Sequence, residues 1–240
     1  MDTVFFVGLI AGGLRLATPI LYAALGETIA QRAGILNVGI EGIMLVGAFL
    51  AALGAVATGS PWGGLLAAIV GGAALGAVHG LFCITLRVDQ IVAGVGMIVL
   101  GLGLSGFAFR ITLGAERVAP PVPTFARVDF GALSRIEVIG PILFNHHLLV
   151  YLGMALAFVL YWFVHRTTWG LELRAIGEAP EAADSVGVAV SRLRYVATVG
   201  GGAFAGIGGA YLSIAQLGSF VENMVAGRGF IAIACVVFGR

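Results

Sequence analysis

The chain has 240 residues, 60% of them hydrophobic and 10% charged, with 38 Gly and a formal net charge of +1. Soluble domains carry roughly 25% charged residues and about 7% Gly, so the composition argues against that class, and the lack of a basic stripe argues against nucleic acid as a partner. Four stretches free of Asp, Glu, Lys and Arg, residues 42–86, 90–109, 138–165 and 195–221, cover half of the chain. About 20 apolar residues, each rising about 1.5 Å, cross a hydrocarbon core about 30 Å thick, so each stretch holds one helix and the first holds two. The short alternating segments of a membrane barrel are absent. The expected fold is therefore an all-α, polytopic transmembrane helix bundle forming a single domain over residues 1–240.

In chain order, a first apolar segment over about 4–26 carries Pro19 near its middle and Arg15 within it. It has an acidic Asp2 and no basic lead-in, so it reads as a retained helix rather than a cleaved signal. A polar stretch from Glu27 to Asn37 follows, where Glu27 and Arg32 are spaced for a broken helix or interfacial turn. The second helix is expected over 38–57, and Thr58-Gly59-Ser60-Pro61 punctuates it. The third and fourth are expected over 62–86 and 90–109, separated by Arg87 and Asp89. Residues 110–147, with Pro120, Pro121, Pro123 and Pro141, form the longest polar excursion. A fifth helix over 148–165, a charged loop over 166–194 and a sixth helix over 195–215 complete the set of spans. The apolar run 229–239 is too short to cross and reads as a partial seventh span, which raises the expectation of a truncated C-terminus at Arg240.

Small residues recur every four positions at Gly72, Gly76 and Gly80 and again at Gly202, Gly206 and Ala210, which predicts close helix packing where lipid gives no hydrophobic drive. Gly101, Gly103 and Gly106 spell a dinucleotide-binding GxGxxG, but a membrane segment with no preceding strand rejects it. Cys83 and Cys235 sit in apolar runs and read as packing residues, and His79 reads as a packed, hydrogen-bonded histidine. No phosphate loop, HExxH or Ser, His and acid set is present, so no catalytic residue, metal or cofactor is expected and an enzyme is disfavoured. All 13 cations are Arg. Counted over alternating loops they divide almost evenly, so the positive-inside rule gives no orientation.

Two groups of residues stand out. Within Glu178-Ala179-Pro180-Glu181-Ala182-Ala183-Asp184-Ser185-Val186-Gly187, Pro180 suits a first helical turn, Glu181 and Asp184 sit near its positive end, and Gly187 can supply a left-handed stop. That is either a short exposed helix on which another protein docks or a solvated amphipathic loop. Ionisable groups near membrane segments are functional candidates by default. Glu41, four residues after Asn37, is expected to share a helical face with it, with Met44 and Ala48 on the same stripe. The Asn37 and Glu41 pair then either lines a pathway for a hydroxyl-rich substrate or locks two helices together.

Glu181-Ala182-Ala183 followed by Gly187 resembles the EAA-type loop of bacterial ABC importer permeases, whose short helix seats on the ATPase subunit. The Ile-x-Leu-Pro continuation usual there is missing, which suits the divergent permeases for branched-chain amino acids, ribose-type sugars and nucleosides. Ala17-Thr18-Pro19, Gly26-Glu27, Arg32-Ala33-Gly34, Asn37-Val38-Gly39-Ile40-Glu41-Gly42-Ile43-Met44 and Val46-Gly47-Ala48 resemble the signature of the nucleoside and simple-sugar members. Gly227-Arg228-Gly229-Phe230-Ile231 and Phe238-Gly239-Arg240 are similar to the last motif before that family's closing helices. The resemblance implies a multi-pass permease subunit in the bacterial inner membrane. Its implied partners are ABC ATPase subunits, a second permease subunit and an extracytoplasmic substrate-binding protein. It also implies that 166–194 faces the cytoplasm and 110–147 the exterior. The rival expectations are a branched-chain amino acid permease, an ion-coupled secondary transporter with Glu41 as proton relay, and a membrane scaffold without a pathway.

Overall fold

A computed structural model describes residues 2–112, 121–128, 130–131 and 138–239, and its long elements are all helices. In order these are α1 (Asp2–Arg32), α2 (Ile40–Thr58), α3 (Pro61–Gly80), α4 (Gln90–Ile111), α5 (Ile139–Leu143), α6 (Leu148–Arg166), α7 (Thr168–Glu178), α8 (Pro180–Ser185), α9 (Val190–Tyr211) and α10 (Arg228–Phe238). Helix α3 runs on through a wider π-helical turn over Leu81–Thr85, and α9 through another over Leu212–Leu217. Six of these helical stretches are long and apolar enough to cross a membrane. Arg117, Pro120, Arg135 and Arg240 lie outside the described residues.

Local signals set the boundaries. The turn between α2 and α3 has Gly59 at φ +66°, Ser60 accepting from the Trp62 N–H, and Pro61 at the first helical position, where its missing N–H costs nothing. Asp89 caps α4 by accepting from the Ile91 and Val92 N–H groups at 2.9 and 3.0 Å. One boundary departs from the sequence expectation, because α1 continues helically to Arg32 instead of breaking at Glu27. No Gly or Pro interrupts 27–32, and the Gln31 side chain donates to Glu27 Oε1 at 2.8 Å across one turn, so the polar residues stay in the helix and turn inward. The break falls at 33–39, where Gly34 adopts φ +83°.

The core is α2, packed against α3, α4 and α9, with α1 packed mainly on α9. Its close approaches are made by backbone on backbone, and the two small-residue ladders read in the sequence face each other. A methyl on Gly76 would stand 2.6 Å from the Thr198 carbonyl oxygen, and one on Gly202 would stand 2.8 Å from Gly76 Cα. Gly47 meets Gly206 in the same way, and Gly101 of α4 lies on Gly42. The packing is thus dispersion and Cα–H contact at minimal separation, the form of cohesion available in lipid.

Helix α10, over its described 11 residues, is an apolar helix shorter than a span. Glu222 pairs with Arg110 at the end of α4, whereas Gly229 sits against Glu41 beside the Gly42–Gly101 contact. Arg110 is about 13 Å further along α4 than Gly101 at about 1.5 Å per residue, so residues 222–229 descend roughly that far into the bundle before α10 begins. From there α10 runs toward the Arg32 end of α1, with Cys235 and Gly239 beside Thr28 and Arg32.

Candidate functional site

The 166–194 segment, expected as a loop, holds helices α7 and α8 and the first turn of α9, which begins at Val190. Thr167 caps α7 by accepting from the Gly170 N–H at 3.1 Å, and Leu173 and Ile176 point into an apolar cluster with Ala33, Leu193 and Ala197. Helix α8 then starts with Pro180 in its first turn and stops at Gly187, φ +90°. The Gly187 N–H donates to the Asp184 carbonyl at 2.9 Å and the Val188 N–H to the Ala183 carbonyl at 3.1 Å, the paired bonds of a Schellman stop. Ala183 alone of the short helix is buried, in the same cluster as α7. Glu178, Glu181, Ala182, Asp184 and Gly187 are exposed and Pro180 is half-buried, so α8 is a knob held by one alanine with its acids outward.

The knob is fastened to the α1–α2 junction by contacts that spacing does not reveal. Gly177 lies against the Arg32 carbonyl, where no side chain fits. Arg194, at the start of α9, donates through Nε to the Ala33 carbonyl at 3.1 Å and through Nη2 to the Ile176 carbonyl at 3.3 Å. One guanidinium therefore joins the last carbonyls of α1 and α7. Each carbonyl lies where a helix runs out of its own donors, which is where an Arg is most favourable.

Residues 33–39 are non-helical yet largely buried, so their backbone groups need partners. Gln90 supplies two: its Oε1 accepts from the Leu36 N–H at 2.7 Å and its Nε2 donates to the Gly34 carbonyl at 3.3 Å. His79 Nε2 donates to the Leu36 carbonyl at 3.3 Å, and Glu27 Oε1 accepts from the Asn37 N–H at 3.2 Å. Asn37 precedes α2 instead of joining its stripe, so the four-residue pairing with Glu41 does not form. It is 1% exposed, and its Oδ1 has no hydrogen-bond partner among the described residues.

Glu41, in the first turn of α2, accepts from the Gly227 N–H and the Gly229 N–H, both at 2.7 Å. Those N–H groups open α10, so the carboxylate sits on the positive end of a half-helix inside the bundle. A methyl on Gly229 would stand 2.8 Å from Glu41 Cα, so only glycine allows the approach. Among the described residues no three His, Cys, Asp or Glu side chains gather as a metal site would require.

The family model for the branched-chain amino acid transport system permease component matches residues 9–240. The chain belongs to that family. The permease is 40% identical over 240 residues to a putative glucose ABC transporter permease protein of Haloferax volcanii, covering 98% of the chain and 71% of the relative. It is 34% identical over 248 residues to a guanosine ABC transporter permease protein of Bacillus subtilis, covering 100% and 78%. It is 32% identical over 241 residues to a nucleoside ABC transporter permease protein of Lactococcus lactis, covering 97% and 75%. No solved structure matches the permease. Family and helices together make it a multi-pass membrane component of a transport system rather than an enzyme.

Proposed function

We propose that the permease is the membrane-spanning subunit of an ATP-driven importer that carries nucleosides or simple sugars across a bacterial inner membrane. The near-full-length similarity to glucose, guanosine and nucleoside ABC permeases carries the reading. Such a subunit works with ATPase subunits on the cytoplasmic face, a second permease chain and an external substrate-binding protein. In this reading α8 is the ATPase contact through Glu178, Pro180, Glu181, Ala182, Ala183, Asp184 and Gly187, and 110–147 faces outward. Force on α8 passes through Gly177 and Arg194 into Ala33–Gly34, and from there to Asn37 and the Glu41–α10 contact. Glu41, with both oxygens engaged, acts on a pathway by holding α10, and Asn37 keeps an open acceptor for a rearranged state.

The test is uptake of labelled guanosine and glucose in cells with the complete transporter, comparing wild type with Gly187→Val and Glu181→Lys. A β-branched residue resists φ +90° and reversed charge alters the exposed knob, so uptake and ATPase co-purification are expected to fall with the protein still inserted. Unaltered uptake in both variants would remove the coupling assignment. Sensitivity of uptake to a protonophore but not to ATP depletion would favour an ion-coupled transporter. The family description keeps branched-chain amino acids as a second cargo class, and competition by leucine but not guanosine would select it.

A further inference from the structure

The end of the bundle opposite α7 and α8 holds a group of cations that uncharged sugars and nucleosides do not require. Arg15 of α1, Arg127 of the segment before α5 and His147 at the start of α6 line one open recess of about 220 Å³, together with Tyr211 and Gln216. Arg15 lies about 25 Å along α1 from Arg32, which puts it close to the far boundary of a hydrocarbon core about 30 Å thick. Its Nε donates to the Ala11 carbonyl at 3.2 Å, and its terminal nitrogens have no partner among the described residues. Arg127 meets His147 through an isolated antiparallel bridge, and its guanidinium makes no hydrogen bond or ion pair among the described residues. His147 Nδ1 donates to the Phe125 carbonyl at 2.8 Å, so its Nε2 is the free ring nitrogen.

Two permanently charged guanidiniums beside an imidazole repel one another, and a boundary of low dielectric screens them poorly. No described carboxylate answers them, since the ion pair found among the described residues is Arg110 with Glu222. The donors come from three separate elements around one recess, and guanidiniums make charge-assisted, often paired hydrogen bonds to phosphate oxygens. The recess exceeds the roughly 30 Å³ share of one water several-fold, so a small oxyanion has room.

We propose that this recess binds a phosphate-type oxyanion, supplied either by the headgroup of an anionic lipid or by free phosphate. The site is independent of the transport reading. Its test uses the full chain in phosphatidylcholine nanodiscs. In one arm phosphatidylglycerol is added and native mass spectrometry counts the lipid retained. In the other, inorganic phosphate replaces chloride at matched ionic strength and thermal unfolding is followed. At least one arm is expected to respond, with Arg127→Ala and Arg15→Gln each weakening the response tenfold or more. Response to lipid alone assigns the headgroup, and response to phosphate alone assigns the free ion. No response from wild type in either arm, or a response unchanged by both substitutions, overturns the proposal. Arg127 is exposed and outside any helix, so its variant carries the test if Arg15→Gln fails to insert.

Discussion

Replacing Glu41 should loosen α10 selectively. Its carboxylate accepts two backbone N–H groups at 2.7 Å each, from Gly227 and Gly229. Hydrogen bonds to charged groups contribute roughly 1.5–3 kcal/mol each, while measured interhelical bonds in membranes average nearer 0.6 kcal/mol because the unfolded chain also finds partners. Glu41→Gln keeps one acceptor and turns an amide toward the other N–H, a loss of about 1–3 kcal/mol. Glu41→Ala leaves both N–H groups without their acceptor, a loss of about 2–5 kcal/mol. At about 1.4 kcal/mol per factor of ten, Gln should speed local opening roughly 5- to 140-fold, and Ala more. Hydrogen exchange read by mass spectrometry on the peptide covering 221–231 measures this in nanodiscs. Peptides from α3 and α9 serve as internal controls and should not change. Equal exchange at 227–229 in all three proteins would show that the carboxylate does not hold the half-helix.

Gly76→Leu should destabilise the bundle by about 1–3 kcal/mol or more, because backbone rather than a movable side chain faces it, whereas Gly103→Leu, with open space around it, should leave the melting temperature unchanged. Similar melting temperatures for the two would refute the ladder contact. His147 should titrate below its ordinary 6.5, held down first by burial and then by Arg127, Arg15 and His146, against the opposing Phe125 hydrogen bond. The sign is that of a native state that disfavours the charged ring: its contribution is intact above about pH 6.5 and stability falls as pH drops through that window, which imidazole NMR with acid melts can follow. Bound phosphate should raise the same titration. Glu222→Gln should leave the melting temperature within error, because its pair with Arg110 is exposed, and a clear loss would show that the pair is better shielded than its geometry implies.

The spans, each glycine ladder taken by itself and the α8 stop are legible because each is set within one segment, by runs of apolar residues, a four-residue repeat, or Pro180 and Gly187 seven positions apart, whereas the facing of the two ladders is not. Arg194 was not, since it counted only as a loop cation until the fold brought Ala33 and Ile176 to its two ends. Gln90 carries no local signal either, because its amide completes a backbone segment more than 50 positions away. The position of Glu41 is the extreme case, since Gly227 lies 186 positions further along the chain. Asn37 and Glu41 looked like one stripe because helical spacing assumes a helix, and the bend at Gly34 moved the start of α2 past Asn37. Helix α7 had a readable signal in Thr167 and the Leu173 and Ile176 spacing, masked by the charges around it.

The contact between α3 and α9 restricts how the bundle can move. Where side chains separate two helices, rotamer changes absorb small shifts and sliding is graded. Between Gly72, Gly76, Gly202 and Gly206 there are no rotamers to change, so a shift of an ångström or two drives peptide groups into one another. The next position at which glycine again faces glycine lies one repeat away, about 6 Å along the axis. Motion along this seam is therefore notched, and because Gly26 of α1 meets Gly201 of α9 backbone to backbone in the same way, displacements smaller than a notch require α1, α2, α3 and α9 to turn together as a single plate.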